Sequence, residues 1–275
     1  MPLGIVITDL DGTLLGSKHE LSEENRRTLE ELGARGIPRV VSTGRSLYSA
    51  LSVLPADAPI DFLCHSSGAG IMRWSDRASL RAVSMAHVEA SALAAELVRR
   101  ELCFMLHFAI PDSHLFYAHR GRAENADFEQ RLARHSAFAT SLRLPLAEAR
   151  AFSQALVVEP PPGAVEYAAL VRALPGFQVI RTTSPLDGAS TWIEIFPSGI
   201  NKAAAADWLW QSVANTGLSR VAVGNDYNDL DLLAWADRAY VVGNAPAELR
   251  ARYTTVASND DAGFSAAVRH ALGSL

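Results

Sequence analysis

The chain has 275 residues, 49% of them apolar, enough for one large domain or two modest ones with a sizeable core. Its formal charge of −5 and the lack of a Lys/Arg run leave no electrostatic footprint for nucleic acid or an anionic membrane surface, and no stretch approaches the ~20 apolar residues of a membrane span. Cys64 and Cys103 lie far apart in apolar surroundings, which reads as reduced core thiols rather than a disulfide or zinc site. The N-terminus runs straight into a strand with no basic-then-apolar segment, so the expected location is cytoplasmic.

The first predicted element is the apolar run Ile5-Val6-Ile7, a fully buried strand that ends in Thr8-Asp9-Leu10-Asp11-Gly12-Thr13. Asp9 and Asp11 stand two residues apart, so on extended chain their side chains point the same way. Packing does not account for two carboxylates at the end of a central strand, because buried unpaired charge is costly. A bound cation resolves the cost, and Gly12 permits a tight turn whose N–H groups and Thr13 hydroxyl face an anion. Ser22 then caps a helix with Leu29 and Leu32 on its apolar face, and Gly36 ends it. Pro38 to Ser42 forms a second strand, Thr43-Gly44-Arg45-Ser46 opens another helix, and Asp61 to Cys64 forms a third strand before the turn His65-Ser66-Ser67-Gly68-Ala69. Strand–helix–strand spacing of this length implies parallel strands with right-handed crossovers.

From about residue 83 the pattern changes to an Ala-rich helix (86 to 99), paired strands at 104–108 and 115–117, and a polar piece rich in Arg and His. Two further strands, 155–158 and 177–180, flank a helix at 165–174, with Pro160-Pro161-Pro162-Gly163 breaking the chain before it. Residues 83–188 thus read as an α+β insert without a catalytic motif. In it His107, His114, His119, Arg120 and Arg122 are candidates for recognising a polar substrate, against the plainer expectation that such residues face solvent. The parallel pattern is expected to resume at Trp192 to Phe196, followed by a helix from Ala203, a strand at 220–223, a helix at 230–236, a strand at 239–242 and two closing helices. Trp208, Trp210 and Trp235 fall within helical patterns and read as packing. The fold class is α/β: a doubly wound parallel core (1–82 and 189–275) holding the inserted unit.

The Asp9-x-Asp11-Gly12-Thr13 loop resembles the nucleophile loop of the haloacid dehalogenase-like superfamily. Ser42-Thr43-Gly44-Arg45, Ser198-Gly199-Ile200-Asn201-Lys202 and Gly224-Asn225-Asp226-Tyr227-Asn228-Asp229 resemble its other three motifs in order. The arrangement is similar to the branch with a large cap after the third strand, the Cof-type sugar phosphatases. The resemblance implies that Asp9 is a nucleophile forming an aspartyl-phosphate and that Asp11 is the general acid and base. It implies that Lys202 neutralises Asp9 and the phosphoryl group, and that Leu10, Thr43, Gly44, Arg45, Lys202 and Asn228 hold substrate phosphate. Arg45 has the alternative of pairing with a nearby acid. The implied cofactor is Mg2+, held by Asp9, Asp11, Asn225 and Asp229. One position departs from the family form Gly-Asp-x-x-Asn-Asp: Asn225 stands where an aspartate is expected, and Asp226 is the alternative ligand.

What the resemblance implies is a magnesium-dependent phosphatase of a small phosphorylated metabolite, a sugar phosphate first of all, while the charge pattern leaves no nucleic acid or membrane partner expected. A phosphosugar mutase on the same core and a non-catalytic phosphometabolite-binding protein are the alternatives. Asn225 favours the last of these, while Asp9, Asp11 and Lys202 argue against it.

Overall fold

The computed structural model describes residues 2–122, 124–147, 149–161, 165–213 and 218–273. Pro162 and Gly163 of the expected helix-breaking run lie outside them. The chain divides into two compact units, one comprising Met1–Arg45, Ser49–Arg81 and Asn201–Leu275, the other Ser46–Tyr48 and Ala82–Ile200.

The first unit begins with β1 (Leu3–Thr8), α1 (Glu23–Ala34), β2 (Arg39–Ser42), α2 (Leu47–Val53) and β3 (Phe62–His65), then β4 (Gly70–Arg73) and β5 (Ser79–Ala82). Every residue of β1 is buried, as a strand covered on both faces requires. Ser22 Oγ accepts from Asn25 N at 3.2 Å, Glu23 and Glu24 sit in the first turn of α1, and Leu29 and Leu32 are buried beneath it. β4 was not foreseen: it folds back antiparallel on β3, pairing Leu63 with Met72.

The second unit runs α3 (His87–Arg99), β6 (Phe104–Phe108), β7 (Phe116–His119), α4 (Ala126–Arg134), β8 (Ala139–Ser141), β9 (Phe152–Glu159), α5 (Val165–Ala173), β10 (Phe177–Thr183) and β11 (Thr191–Pro197). Among the described residues its sheet has the order β10-β11-β9-β6-β7-β8. α3 and α5 pack on one face against Phe104, Leu106, Ala155, Val157, Ile193 and Ile195. On the other face Phe128 of α4 meets Met105, Phe116, Leu156 and Trp192.

β11 corrects an expectation. The run Trp192 to Phe196 does not resume the parallel core but pairs antiparallel with both β10 and β9. A short apolar run carries the same signature in either sheet, and only the short link from Thr183 to Thr191 decides, because it returns the chain beside β10. The return from the inserted unit to the first unit therefore falls between Ile200 and Asn201, not at residue 189.

The first unit then closes with α6 (Lys202–Val213), β12 (Ser219–Gly224), α7 (Leu230–Trp235), β13 (Arg238–Val241), α8 (Ala247–Arg252), β14 (Thr254–Thr255) and α9 (Gly263–Leu272). Its sheet has the order β14-β13-β12-β1-β2-β3-β4-β5, with β1 parallel to both β2 and β12. From β1 the chain winds to one side through β2 and later to the other through β12. That makes the carboxyl end of β1 a topological switch point, where open α/β sheets bind ligands. Trp208, Trp210 and Trp235 pack against this core, as expected, and Cys64 and Cys103 are buried and not joined in a disulfide.

Candidate active site

Three strand ends of the first unit bring their loops together at this switch point. Asp9 leaves β1, with its N–H donating to Val223 O on β12 at 2.9 Å. Gly12 lies at φ 66°, a conformation glycine adopts without strain, and a Cβ there would come within 2.6 Å of Asn225 Nδ2. The amide of Asn225 therefore lies directly against the Asp9–Gly12 loop. Asn244, after β13, holds the same loop by donating Nδ2 to Gly12 O at 2.8 Å, and its Oδ1 accepts from Asn259 N at 3.1 Å. Neither Asn244 nor Asn259 was singled out in the sequence; the position of Gly243-Asn244 just past a strand end was the available signal.

At the centre is a buried ionic trio. Lys202 Nζ donates to Asp9 Oδ1 and to Asp229 Oδ1, each at 2.6 Å, with the lysine and Asp229 side chains wholly enclosed. Asn201 caps α6 by accepting Ala204 N at 2.7 Å, which sets Lys202 at the first helical position with its side chain at the sheet end. Asp229 is fully used: its Oδ2 accepts from Asn225 N at 2.8 Å and Asp226 N at 3.2 Å, so it clamps the loop after β12 as well as the lysine. Asp226 caps the short turn Tyr227–Asp229, which contains Asn228.

Burial lifts Asp9 to about 7 against the pull of Lys202, and the neighbouring charges of Asp229 and Asp11 add to the lift. Burial alone would lower Lys202, but the attraction of Asp229 and Asp9 outweighs it and holds the ammonium charged. Two carboxylates thus share one ammonium, and with all three ionised the trio is one negative charge in excess.

Asp11 is held separately. Arg45 Nε and Nη2 grip its two oxygens at 2.7 Å each, Arg45 Nη1 donates to Ser49 Oγ at 2.9 Å, and His19 Nδ1 lies 3.4 Å from Asp11 Oδ1. Of the two sequence readings of Arg45, the structure therefore displays the pairing with an acid. Thr43 Oγ1 accepts from Arg45 N at 3.1 Å, and Thr43 N donates to Cys64 O at 2.8 Å, which ties the turn after β2 to β3. Gly44 lies within this turn, and Leu10 is buried beside Asp9.

The donor chemistry suits a hard divalent cation. Among the described residues no three His, Cys, Asp or Glu side chains gather as a ligand set. What the loops offer instead is Asp9, the Asn225 amide, backbone oxygens near Asp11 and, orphaned and buried, Thr13 Oγ1. Oxygen donors with few carboxylates match a small cation that keeps several of its waters.

In the second unit Arg120 pairs with Glu129 at 2.6 Å and Arg122 with Glu101 at 3.4 Å, both exposed, while the rings of His114 and His119 lie against Phe138 and Phe104. His107 alone of this group is deeply buried.

This order of motifs on this topology has known counterparts. The family model for haloacid dehalogenase-like hydrolases matches residues 6–268. The chain belongs to that family. It is 21% identical over 268 residues to the 5-amino-6-(5-phospho-D-ribitylamino)uracil phosphatase of Bacillus subtilis (97% of this chain, 94% of the relative). It is 28% identical over 254 residues to the HMP-PP phosphatase of Cronobacter sakazakii (88% and 85%). Among solved structures, a family phosphatase from Bacteroides thetaiotaomicron superposes with a TM-score of 0.78 at 19% identity (100% of this chain, 96% of that one). A subclass IIB sugar phosphatase of the family superposes with 0.77 at 18% (98% and 99%). The fold of this haloacid dehalogenase-like hydrolase is thus shared with large-cap members. No described helix is long and apolar enough to cross a membrane.

Proposed function

We propose that the chain hydrolyses a small phosphorylated metabolite, a sugar phosphate or a related polyol ester, with Mg2+ and through an aspartyl-phosphate on Asp9. That it is a phosphoric monoester hydrolase follows from its family and from the phosphatases it resembles over nearly its whole length. The single observation that carries the finer reading is the enclosed Asp9–Lys202–Asp229 trio, because a protein that only bound a phosphate ester has no use for a buried carboxylate held ready at the switch point.

In this reading an Asp9 oxygen attacks phosphorus while the bond to the leaving oxygen breaks, and Asp11 gives that oxygen a proton. A water then attacks the phosphorylated Asp9, Asp11 takes its proton, and Asp9 and inorganic phosphate are released. Lys202 offsets the charge that gathers as phosphate nears Asp9. Leu10, Thr43, Gly44 and Asn228 supply backbone and side-chain donors to the phosphate oxygens. Asp9, the Asp11 backbone and Asn225 would hold Mg2+, which when bound neutralises phosphate charge and lets two anions approach. Asp229 supports the site by fixing Lys202 and the Asn225 loop. Asn225 is preferred to Asp226 because its amide abuts Gly12 while Asp226 caps its own turn. The insert acts as the cap that selects among substrates and excludes water.

The test is a turnover screen over phosphorylated sugars, polyols and nucleosides with and without Mg2+. Magnesium-dependent release of phosphate from a subset supports the proposal. Transfer of the phosphoryl group to a second sugar hydroxyl would favour a mutase, and binding without turnover would favour the non-catalytic alternative.

A further inference from the structure

The loop that carries Asp9 and Asp11 is held from outside by the side chains of three asparagines. Leu15 N donates to Leu10 O at 2.9 Å and closes a wide turn around Gly12. Thr13, Leu14 and Leu15 are fully buried, so carbonyls that face out of this turn need donors from the protein. Asn244 Nδ2 donates to Gly12 O at 2.8 Å, Asn25 Nδ2 to Leu14 O at 2.9 Å and Asn259 Nδ2 to Leu15 O at 3.1 Å. Two of these donors lie 232 and 244 positions away in the chain.

The asparagines are anchored in turn. Asn244 Oδ1 accepts from Asn259 N at 3.1 Å, and Asn25 Oδ1 accepts from Ser265 N at 3.3 Å and Ser265 Oγ at 2.8 Å. A carbonyl only accepts and a backbone N–H only donates, so these partners fix which way both amides point. An aspartate would lack the donor, and an apolar side chain would lack both halves. A continuous chain thus runs from Gly12 O through Asn244 and Asn259 to Leu15 O, bracketing the turn.

The bracket has a chemical use. Asp9 N, bonded to Val223 O, fixes one side of the loop and Asn244 fixes the other at Gly12, with Asp11 between them. Gly12 is suited to its φ of 66°, but a glycine prefers that conformation over others only weakly. The residue that permits the turn therefore does not hold it, and the bond from Asn244 does. We propose that Asn244 and Asn259 are positioning residues of the hydrolase, which keep the Gly12 turn in the form that aligns Asp11 with Asp9. The segment after β13 then serves the reaction without touching the reacting atoms. This inference rests on the phosphatase reading and deepens it, and a misplacement of about 1 Å in such a group costs ~10² in rate.

The experiment pairs kinetics with amide hydrogen exchange on the substrate-free protein. Asn244 is exposed and Asn259 is buried, so Asn244→Ala should leave the melting temperature nearly unchanged. Its kcat should fall ~10², with KM within about twofold of the unaltered protein. The Leu15 amide should exchange about tenfold faster, the effect of losing one hydrogen bond, while the amides of β1 keep their protection. Asn259→Ala acts through Asn244, so the double variant should lose little more rate than Asn244→Ala alone. If Asn259→Ala does not fold, Asn244→Ala decides by itself.

Unchanged Leu15 exchange in Asn244→Ala would overturn the bracket. Faster exchange with kcat unchanged would overturn its part in the reaction, as would faster exchange throughout the first unit with normal kcat per folded molecule. If the unaltered protein releases phosphate from no ester, the hydrolase reading fails and the positioning role with it. The holding of the loop is then still judged by Leu15 exchange, so the two failures are told apart.

Discussion

Lys202 Nζ lies 2.6 Å from Asp9 Oδ1, joining residues 193 positions apart in the chain. The contact links the first strand of the fold to the helix that re-enters the first unit after the insert, so it serves both folding and chemistry. Removing one member of a buried ionic group leaves uncompensated charge, at a cost of about 3–5 kcal/mol. Lys202→Met should accordingly lower stability by an amount of that order and abolish turnover. Denaturant unfolding together with a phosphatase assay checks both; a stable variant with normal rates would remove the lysine from the account.

Arg45 and Asp11 give the opposite balance of stability and activity. Their side chains are 23% and 34% exposed, and pairs near the surface contribute only about 0–1 kcal/mol. Arg45→Lys should therefore leave the melting temperature nearly unchanged while losing the two-pronged grip on Asp11. If that grip orients the general acid, kcat should fall by ~10² or more with little change in inhibition by inorganic phosphate. A rise in the phosphate inhibition constant with kcat preserved would instead make Arg45 a phosphate ligand.

The departure at Asn225 has a measurable consequence. A magnesium shell with one formal negative charge fewer should bind the ion weakly, so Asn225→Asp should lower the magnesium concentration for half-maximal activity and Asp226→Ala should change it little. Gly12→Ala should inactivate, since its Cβ would fall 2.6 Å from Asn225 Nδ2 in a left-handed turn. A metal titration that responds only to Asp226→Ala would transfer the ligand role to Asp226.

His65 makes the fold acid-sensitive. Burial pulls its pKa from 6.5 to about 4, so the native state keeps it neutral while the unfolded chain takes up a proton below about 6.5. The unfolded state then binds more protons, and stability falls as pH drops from about 6.5 towards 4, by on the order of 3 kcal/mol in all. Melting temperatures across that window should flatten in His65→Asn. An equally steep profile in the variant would place the acid sensitivity elsewhere, His107 being the next candidate.

Much of the site was legible because its chemistry is local: Asp9, Asp11 and Gly12 sit within four residues, and Lys202 opens a helix where a cation opposes the dipole. The pairing of Lys202 with Asp9 was expected in outline. That Asp229 spends its second oxygen on the N–H groups of Asn225 and Asp226 was not, because backbone direction in a turn leaves no trace in residue types. β11 was misplaced for a related reason, since Trp192 to Phe196 is equally apolar in either sheet and partner choice is a tertiary matter. α4 went unread because its polar sequence buries only a narrow stripe around Phe128.

The central claim is that Asp9 carries the phosphoryl group. The most direct measurement is rapid acid quench of the enzyme during turnover, followed by mass spectrometry of the peptide that contains Asp9. The account predicts a phosphorylated Asp9 that accumulates further in Asp11→Asn, where the water lacks its base, and is absent in an inactive, folded Asp9→Asn. Turnover at a near-normal rate in Asp9→Asn, with no phosphorylated peptide at any quench time, would contradict it.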